Sequence, residues 1–272
     1  MSVRYVAFDV ETTGLIPGVD RIIELAAVSF EGPRVLESFQ QLVDPGVPIP
    51  RAASQVNGIT DQMVQAAPPL REVLESFLGF LGTGTPVAHN AVFDVGFITA
   101  ETGRTGHIPP AGPVLDTRGL ARSVFPRRAS YSLQNLARDL NLEKGTHRAL
   151  SDAHACRELF LCCRQAGWKR GLRESPSPSA LAAASGAPLD FICHKPRHAE
   201  MAVQLSAAME SGRDVRISYR SATGATTERD IRPIAFAIAG GSICVRAHCR
   251  LRGEERTFRL DAILHIYAPA GA

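Results

Sequence analysis

Apolar residues near the start of the chain are concentrated in short runs. Residues 5–8 form one such run and predict a buried strand, and the runs at 21–30 and 35–43 predict two more. Gly32 and Pro33 separate the second run from the third, which predicts an antiparallel hairpin. The chain is therefore expected to open with three strands that follow one another.

From residue 70 onward the apolar positions take a helical spacing. Residues 70–81 place leucine, valine and phenylalanine at the 3.6-residue period of an amphipathic helix. Ser132 is a suitable N-cap for a further helix that ends near Leu140. The other elements predicted in this half are strands at 86–88 and 114–115 and helices at 91–98 and 148–165. Strands that alternate with helices predict an α/β fold, a mixed sheet with helices on its faces.

The composition changes near residue 168. Residues 168–188 are rich in proline, serine, alanine and glycine and have little periodicity, so we expect a flexible linker there. A helical pattern follows at 199–210, and short β-type runs follow at 215–219, 228–231, 242–247, 257–260 and 263–267. We therefore expect a first domain over residues 1–167 and a second, β-rich domain over 189–272.

The charge is divided unevenly between these two predicted domains. The net charge of the 272 residues is only +3. Residues 1–167 carry 15 Arg and Lys against 17 Asp and Glu, whereas residues 189–272 carry 12 against 9. A basic second domain favours a polyanionic partner such as nucleic acid.

Other features of the composition bear on location and on cysteine chemistry. No apolar run approaches the roughly 20 residues that span a bilayer, and the N-terminus has no signal-peptide core. These two observations favour a cytoplasmic protein with no membrane partner. The six cysteines include no CxxC pair, so buried thiols are expected rather than disulfides. A zinc site built from Cys193, His194, His248 and Cys249 is the alternative use of such residues.

Two carboxylates end the first predicted strand. Asp9 and Glu11 are two residues apart, so the period-two alternation of a strand directs both to the same side. Two adjacent negative charges repel unless a cation lies between them. A hard divalent metal ion is the natural partner because it prefers carboxylate oxygen. The pair therefore predicts a metal site, with a solvated strand end as the alternative.

Two further carboxylates and a histidine strengthen this prediction. Asp94 opens an otherwise apolar segment, and Asp152 lies near the start of a helix with an apolar face. A carboxylate close to such a face is costly unless it is coordinated or hydrogen-bonded, although the helix dipole alone would explain one of them. His147 precedes Asp152 by five residues and is expected on the loop before that helix. Beside a metal site it is a candidate general base.

These residues resemble the motifs of the DEDDh 3′–5′ exonuclease family. The matching segments are residues 8–14 (FDVETTG), 89–94 (HNAVFD) and 147–152 (HRALSD), with connecting segments at 56–60 and 115–117. The resemblance covers about residues 3–165 and implies an RNase H-like fold with a mixed five-stranded sheet. One departure is Asn57, where relatives often carry histidine, and this bears on contacts with substrate.

The resemblance also implies roles for individual residues. Asp9, Glu11 and Asp152 would hold one Mg²⁺ or Mn²⁺, Asp9 would bridge to a second ion, and Asp94 would hold that second ion through water. His147 would take the proton from the attacking water. The residues that would bind the terminal nucleotide are Thr12, Leu15, Asn90 and Phe93. Two metal ions suit phosphodiester hydrolysis because charge develops on both the attacking and the leaving oxygen.

The second half resembles the WYL domain family. The matching segments are residues 216–219 (RISY), 229–233 (RDIRP) and 252–261 (RGEERTFRLD). The resemblance implies a small Sm-like β-barrel whose arginines bind nucleic acid or a regulatory ligand. The candidates for that role are Arg252, Arg256 and Arg259. Arg256 and Arg259 could together form a phosphate clamp, since guanidinium groups bind phosphate bidentately. The usual Trp-Tyr-Leu strand is replaced by residues 242–244 (SIC), and a solvated barrel face is the alternative for these arginines.

Together these features predict a metal-dependent 3′–5′ exonuclease. It would release nucleoside monophosphates from single-stranded DNA, or from RNA, in a setting such as DNA repair. The second domain would bind the strand, a small ligand or a protein partner. Two alternatives remain: the proofreading subunit of a DNA polymerase, and a nucleic-acid-binding regulator whose nuclease site is inactive.

Overall fold

The structure, a computed structural model, describes residues 3–169, 181, 199–239 and 242–267. The chain divides into two compact units. The first comprises Met1–Gly14 and Arg21–Lys195, and the second comprises Leu15–Asp20 and Pro196–Ala272. The predicted linker at 168–188 lies almost entirely outside the described residues, so its flexibility and the domain limits drawn around it stay predictions.

The first unit is built on a mixed five-stranded sheet in the order β3-β2-β1-β4-β5. Its strands are β1 (Arg4–Thr12), β2 (Ile22–Glu31), β3 (Arg34–Leu42), β4 (Thr85–Ala88) and β5 (Leu115–Asp116). The first three are antiparallel neighbours, and β4 and β5 join the sheet in parallel. The expected meander, the mixed sheet and the α/β class are confirmed.

Seven helices of the described part of this unit flank the sheet. They are α1 (Arg51–Asn57), α2 (Asp61–Val64), α3 (Leu70–Leu81), α4 (Val92–Thr105), α5 (Thr117–Val124), α6 (Leu133–Leu140) and α7 (Ala149–Lys169). The predicted N-cap of α6 is present, since the Ser132 hydroxyl accepts a hydrogen bond from the Asn135 amide. The segment before α7 is a loop, as expected for His147.

Strand β1 is buried on both faces, which explains its unbroken apolar run. Val6, Phe8 and Val10 pack in the core formed with α3 and α4. Tyr5 and Ala7 alternate with them and pack in the core formed with α5, α6 and α7. Asp9 and Glu11 continue the positions of Tyr5 and Ala7, which brings them to the side of the sheet that α7 covers. The fold therefore directs the strand-end carboxylates toward the helix that carries Asp152.

The second unit is an antiparallel sheet with a helix. Helix α8 (Ala199–Glu210) precedes strands β6 (Val215–Arg220), β7 (Thr226–Ala239), β8 (Ser242–Cys249), β9 (Glu254–Arg259) and β10 (Ile263–Tyr267), with a 3₁₀ turn at Leu260–Ala262. The strand order is β10-β6-β7-β8-β9. Leu205, Ile217 and Phe258 are among the residues of its core. The β-rich second domain is confirmed.

One aspect of this prediction needs correction. A closed barrel requires a hydrogen-bonded ladder between the first and last strands of the sheet. Among the described strands, β9 and β10 lie at opposite edges and share no such ladder, so the sheet is open. The Sm-like barrel implied by the resemblance is therefore not closed here.

The described residues also bear on the cysteines and on membranes. Cys156, Cys162, Cys163, Cys244 and Cys249 are free thiols. The sixth cysteine and its histidine neighbour, Cys193 and His194, lie outside the described residues, so the alternative zinc site is not tested. Within the described part of the chain, no helix combines the length and the apolar character that crossing a bilayer requires.

Candidate active site

Three carboxylates meet at the end of β1. Asp9 and Glu11 come from the strand and Asp152 comes from the first turns of α7, and one oxygen of each lies within 4.8 Å of the others. Asp152 is only 6% exposed. The sequence-predicted grouping of these residues is therefore present, and it provides clustered oxygen donors of the kind that divalent cations prefer.

Asp94 adjoins this group from the other side of β1. It lies in the first turn of α4, is 2% exposed, and accepts a hydrogen bond of 3.1 Å from the Val10 amide. Val10 lies between Asp9 and Glu11, so this bond fixes Asp94 beside the carboxylate-bearing end of the strand. Asp94 is not among the three residues whose oxygens lie within 4.8 Å of one another.

The four carboxylates destabilise one another's charged forms. Burial raises the pKa of Asp9 well above its ordinary value, and the charges of Asp94 and Glu11 raise it further. Burial also raises the pKa of Glu11 to about 8, with the charge of Asp152 adding to the effect. Burial is the main cause of the raised pKa of Asp94 and of Asp152 as well. A bound cation would offset this repulsion, which favours the ionised, metal-binding form.

The loop before α7 carries His147 against Asp152. The His147 amide donates a hydrogen bond of 3.2 Å to Asp152 Oδ1, and the His147 side chain is exposed. Its backbone is left-handed, with φ of 56°, which is uncommon for a residue other than glycine. Gly145 lies so close that a Cβ at this position would stand 2.1 Å from Asp152 Oδ1. The loop therefore needs glycine at residue 145 to admit the carboxylate.

Glu24, which is fully buried, and Arg148, which is half-buried, form an ion pair next to this loop. Arg148 Nη2 lies 2.7 Å from Glu24 Oε1 and Arg148 Nε lies 3.0 Å from Oε2. The sequence motifs did not predict a role for either residue. A signal was available, since a carboxylate within the apolar run of β2 required a partner.

Asn57 contacts the metal-binding group. Its side chain hydrogen-bonds that of Glu11 and opposes the rise in the pKa of Glu11. It also accepts a hydrogen bond of 3.0 Å from the Ile59 amide. Helix α1 ends here because Gly58 takes a left-handed conformation, with φ of 71°. The departure from the usual histidine thus bears on Glu11 directly.

The four predicted nucleotide-binding residues lie in different surroundings. The Thr12 hydroxyl donates a hydrogen bond to the Gly14 carbonyl. Asn90 is exposed, and its backbone is left-handed, with φ of 63°. Its side-chain oxygen accepts a hydrogen bond of 2.8 Å from Arg118. Phe93 is partly buried against the α3–α4 core. Leu15 belongs by its contacts to the second unit, where it packs against that unit's core.

A partly buried histidine supports the segment that carries Asn90. His89 Nδ1 lies 2.9 Å from Thr117 Oγ1, and its Nε2 lies 3.0 Å from the Tyr131 carbonyl. Burial lowers the pKa of His89 to about 4. His89 is therefore a neutral structural residue, and it joins the end of β4 to the start of α5.

The three candidate arginines of the second unit are on or near β9. Arg256 lies 3.0 Å from Glu254, and Arg259 Nε lies 2.9 Å from Asp261. Three positions separate Arg256 from Arg259, so strand alternation directs them to opposite faces. Arg252 is exposed in the turn before the strand. The structure thus does not bring Arg256 and Arg259 together as one pair.

Two family models match the chain. The model of the exonuclease family matches residues 6–160, and the model of the WYL domain matches residues 200–267. The first match takes in all four clustered carboxylates and His147. The second match takes in most of the described residues of the second unit.

Individual proteins are similar to the first unit. A DNA polymerase III subunit epsilon from Treponema pallidum is 42% identical over 161 residues, which is 58% of this chain and 75% of that protein. A PolC-type DNA polymerase III from Bacillus cereus is 40% identical over 152 residues, which is 56% of this chain. The chain spans only 11% of that much longer protein.

Solved structures share the fold. Exonuclease X in complex with 5′ overhanging duplex DNA is 26% identical with a TM-score of 0.52, and the match covers 68% of this chain and 99% of that one. Escherichia coli Exonuclease I in complex with a dT13 oligonucleotide is 16% identical with a TM-score of 0.54 and shares the fold. That match covers 90% of this chain and 55% of the other.

Proposed function

The chain belongs to the exonuclease family, and from that premise we propose that it is a metal-dependent 3′–5′ exonuclease. It would release nucleoside monophosphates from the 3′ end of nucleic acid, with single-stranded DNA favoured over RNA. The observation that carries this proposal is the convergence of Asp9, Glu11 and Asp152 within 4.8 Å, with Asp94 and His147 beside them.

The donor set fits divalent metal ions. Asp9 and Glu11 are partly buried carboxylates with raised pKa values, and Mg²⁺ and Mn²⁺ prefer carboxylate oxygens as ligands. Asp9, Glu11 and Asp152 would hold one ion, and Asp9 and Asp94 would hold a second. When bound, such ions activate water and stabilise charge on the leaving oxygen.

His147 would act as the general base. Its imidazole is exposed, and its backbone is held against Asp152. A proton leaving the attacking water would pass to a ring nitrogen of His147 and later to solvent. The strained left-handed backbone fits this role, because such strain persists where the surrounding structure fixes a functional group.

Residues around the carboxylates would bind the strand end. We infer that Asn90 and Phe93 line the nucleotide pocket and that Thr12 and Leu15 contact the terminal nucleotide. The position of Asn90 gives the strongest support for this pocket, because its side chain is exposed and two hydrogen bonds fix it. Arg118 donates to its side-chain oxygen, and its backbone amide donates to the Asp116 side chain at 2.9 Å.

The second unit would contribute to binding. We infer a domain division close to residues 1–167 and 189–272, with the WYL domain contacting the strand through Arg252, Arg256 and Arg259. Arg252 is the freest of these to meet a phosphate, because it is exposed and the other two already pair with carboxylates. A small ligand or a protein is the alternative partner.

A second candidate function is proofreading within a DNA polymerase assembly. The 42% identity to the Treponema pallidum polymerase subunit favours it. It predicts that the purified chain binds a replicative polymerase and removes mismatched 3′ ends faster than matched ones.

Matched variants test the proposed nuclease. Purified protein is incubated with a single-stranded DNA oligonucleotide and with its RNA counterpart, in Mg²⁺ or Mn²⁺. Asp152→Asn removes a ligand charge and should abolish cleavage, whereas Asp139→Asn changes a surface carboxylate of α6 and should not. Equal activity in Asp152→Asn and the unchanged protein would refute the metal assignment, and an inactive unchanged protein would favour the regulator instead.

A further inference from the structure

Glu24 is a fully buried carboxylate with four hydrogen-bond donors. It is 0% exposed in the middle of the sheet. Its carboxylate accepts two hydrogen bonds from Arg148, one of 3.0 Å from the Ala149 amide and one of 2.9 Å from Gln40 Nε2. These donors lower the pKa of Glu24 against the effect of burial, so the group stays ionised. A buried ion this well satisfied has a defined geometry.

These bonds join the catalytic strands to the start of α7. Glu24 is the direct cross-strand partner of Glu11 in the β1–β2 ladder. On the helix side, Ala149 is the first residue of α7 and Arg148 directly precedes it. The Asp152 amide donates to the Arg148 carbonyl at 3.0 Å, so the same residue that Glu24 holds also begins the turn that carries Asp152.

We propose that Glu24 and Arg148 are positioning residues that fix His147 and Asp152 against Asp9 and Glu11. This inference rests on the proposed nuclease function. His147 directly precedes Arg148, and Asp152 follows it by one helical turn. Fixing Arg148 therefore fixes the two functional residues that lie at the start of α7 and in the loop before it.

Charge alone does not account for this arrangement. Glu24 contributes a negative charge near Glu11 and Arg148 contributes a positive one. Removing both leaves the net charge beside the carboxylates unchanged, so the remaining effect is one of geometry. The double variant Glu24→Gln with Arg148→Met therefore separates positioning from electrostatics. It also avoids the strong destabilisation that follows when one member of a buried pair is left alone.

The test compares three full-length proteins: unchanged, the double variant and Arg104→Met. Arg104 pairs with the buried Glu101 in α4, and Arg21 also pairs with Glu101 at 3.7 Å. Loss of Arg104 therefore removes an ion pair elsewhere in the same unit without leaving the Glu101 carboxylate alone. Circular dichroism first sets a temperature at which all three are folded. The kcat and KM are then measured on a single-stranded oligonucleotide, and Mn²⁺ affinity is measured by calorimetry.

We expect the double variant to lose about 10–100-fold in kcat or in Mn²⁺ affinity, as residues supporting metal ligands do. Its KM for the oligonucleotide should stay within about twofold, because neither side chain is proposed to touch the substrate. Arg104→Met should retain kcat and Mn²⁺ affinity.

Two results would overturn the inference. One is a folded double variant with the kcat and Mn²⁺ affinity of the unchanged protein, and the other is an equal loss in Arg104→Met. If the unchanged protein binds Mn²⁺ without cutting nucleic acid, the proposed function fails. In that case the Mn²⁺ affinities of the three proteins still decide the positioning role.

Discussion

The metal-free protein should lose stability as the pH rises from 6.5 to 8. Glu11 has a folded pKa of about 8 against an ordinary value of 4.5. Over this window the folded protein keeps the Glu11 proton while the unfolded chain has released it. Stability falls with rising pH wherever the folded state binds more protons. The raised pKa values of Asp9 and Asp94 likewise make stability fall as the pH rises above their ordinary values.

The size of the effect follows from the width of the window. One pKa unit corresponds to about 1.4 kcal/mol, and the folded Glu11 keeps most of its proton over the 1.5 units from pH 6.5 until it is half deprotonated at pH 8. The loss for Glu11 is therefore about 2 kcal/mol or slightly less. The window is chosen to exclude His89. The folded pKa of His89 is about 4, below its ordinary value of 6.5. Its effect on stability therefore appears only as the pH falls below 6.5, outside the chosen window.

The assay is urea unfolding in EDTA at both pH values, for the unchanged protein and for Glu11→Gln. The variant has no titrating group at residue 11, so it should lose about 2 kcal/mol less over the window. The second unit is identical in the two proteins and cancels in the comparison. Two results would refute this account of the carboxylate cluster. One is a free energy of unfolding of the unchanged protein that stays constant or rises between pH 6.5 and pH 8, and the other is an equal fall in both proteins.

Three further predictions concern the catalytic loop and the second unit. His147→Ala should lower kcat by about 10²–10⁴-fold, the usual contribution of a positioned general base. Mn²⁺ affinity by calorimetry should be kept, and its loss would contradict the assigned role. Gly145→Ala should weaken Mn²⁺ binding and cleavage, because the new Cβ would stand 2.1 Å from Asp152 Oδ1. Gly103→Ala is the control, since nothing lies within 4 Å of a Cβ there, and equal behaviour of the two would argue against a steric role for the loop. Replacing Arg252, Arg256 and Arg259 with alanine should lower the salt slope of binding to long single strands by about 0.7 for each phosphate that is no longer neutralised. An unchanged slope would favour a small ligand or a protein partner for the WYL domain.

The general fold was predictable because its signals are local. The apolar runs of β1 and β2 and the helical period of residues 70–81 each depend on neighbouring positions, and each element is present. The limits of elements were less predictable. Strand β7 runs over Thr226–Ala239 rather than ending at residue 231, because pairing with β8 extends it. The closed barrel was wrong for a similar reason, since closure depends on contacts between distant strands.

The sequence predicted the candidate metal ligands and general base, but it did not predict the residues that hold them in place. The spacing of Asp9 and Glu11 on one strand predicted that they lie together. The order of the motifs predicted Asp94, Asp152 and His147. The Glu24–Arg148 pair joins positions 124 residues apart, and no local pattern relates them.

Close steric and polar contacts were also beyond the sequence. The need for glycine at Gly145 depends on where the Asp152 carboxylate lies. The contact of Asn57 with Glu11 depends on the end of α1 folding back to β1. The sequence predicted that Arg256 and Arg259 form a phosphate clamp. Strand β9 begins at Glu254 and so includes both residues, and strand alternation directs them to opposite faces.

The direction of cleavage is the most direct test of the central claim. A single-stranded DNA oligonucleotide labelled at its 5′ end is incubated with the protein and Mn²⁺, and its products are separated at intervals by length. A 3′–5′ exonuclease predicts a ladder that shortens one nucleotide at a time and is abolished by EDTA. Immediate release of the labelled mononucleotide, or a ladder that persists in EDTA, would contradict the account.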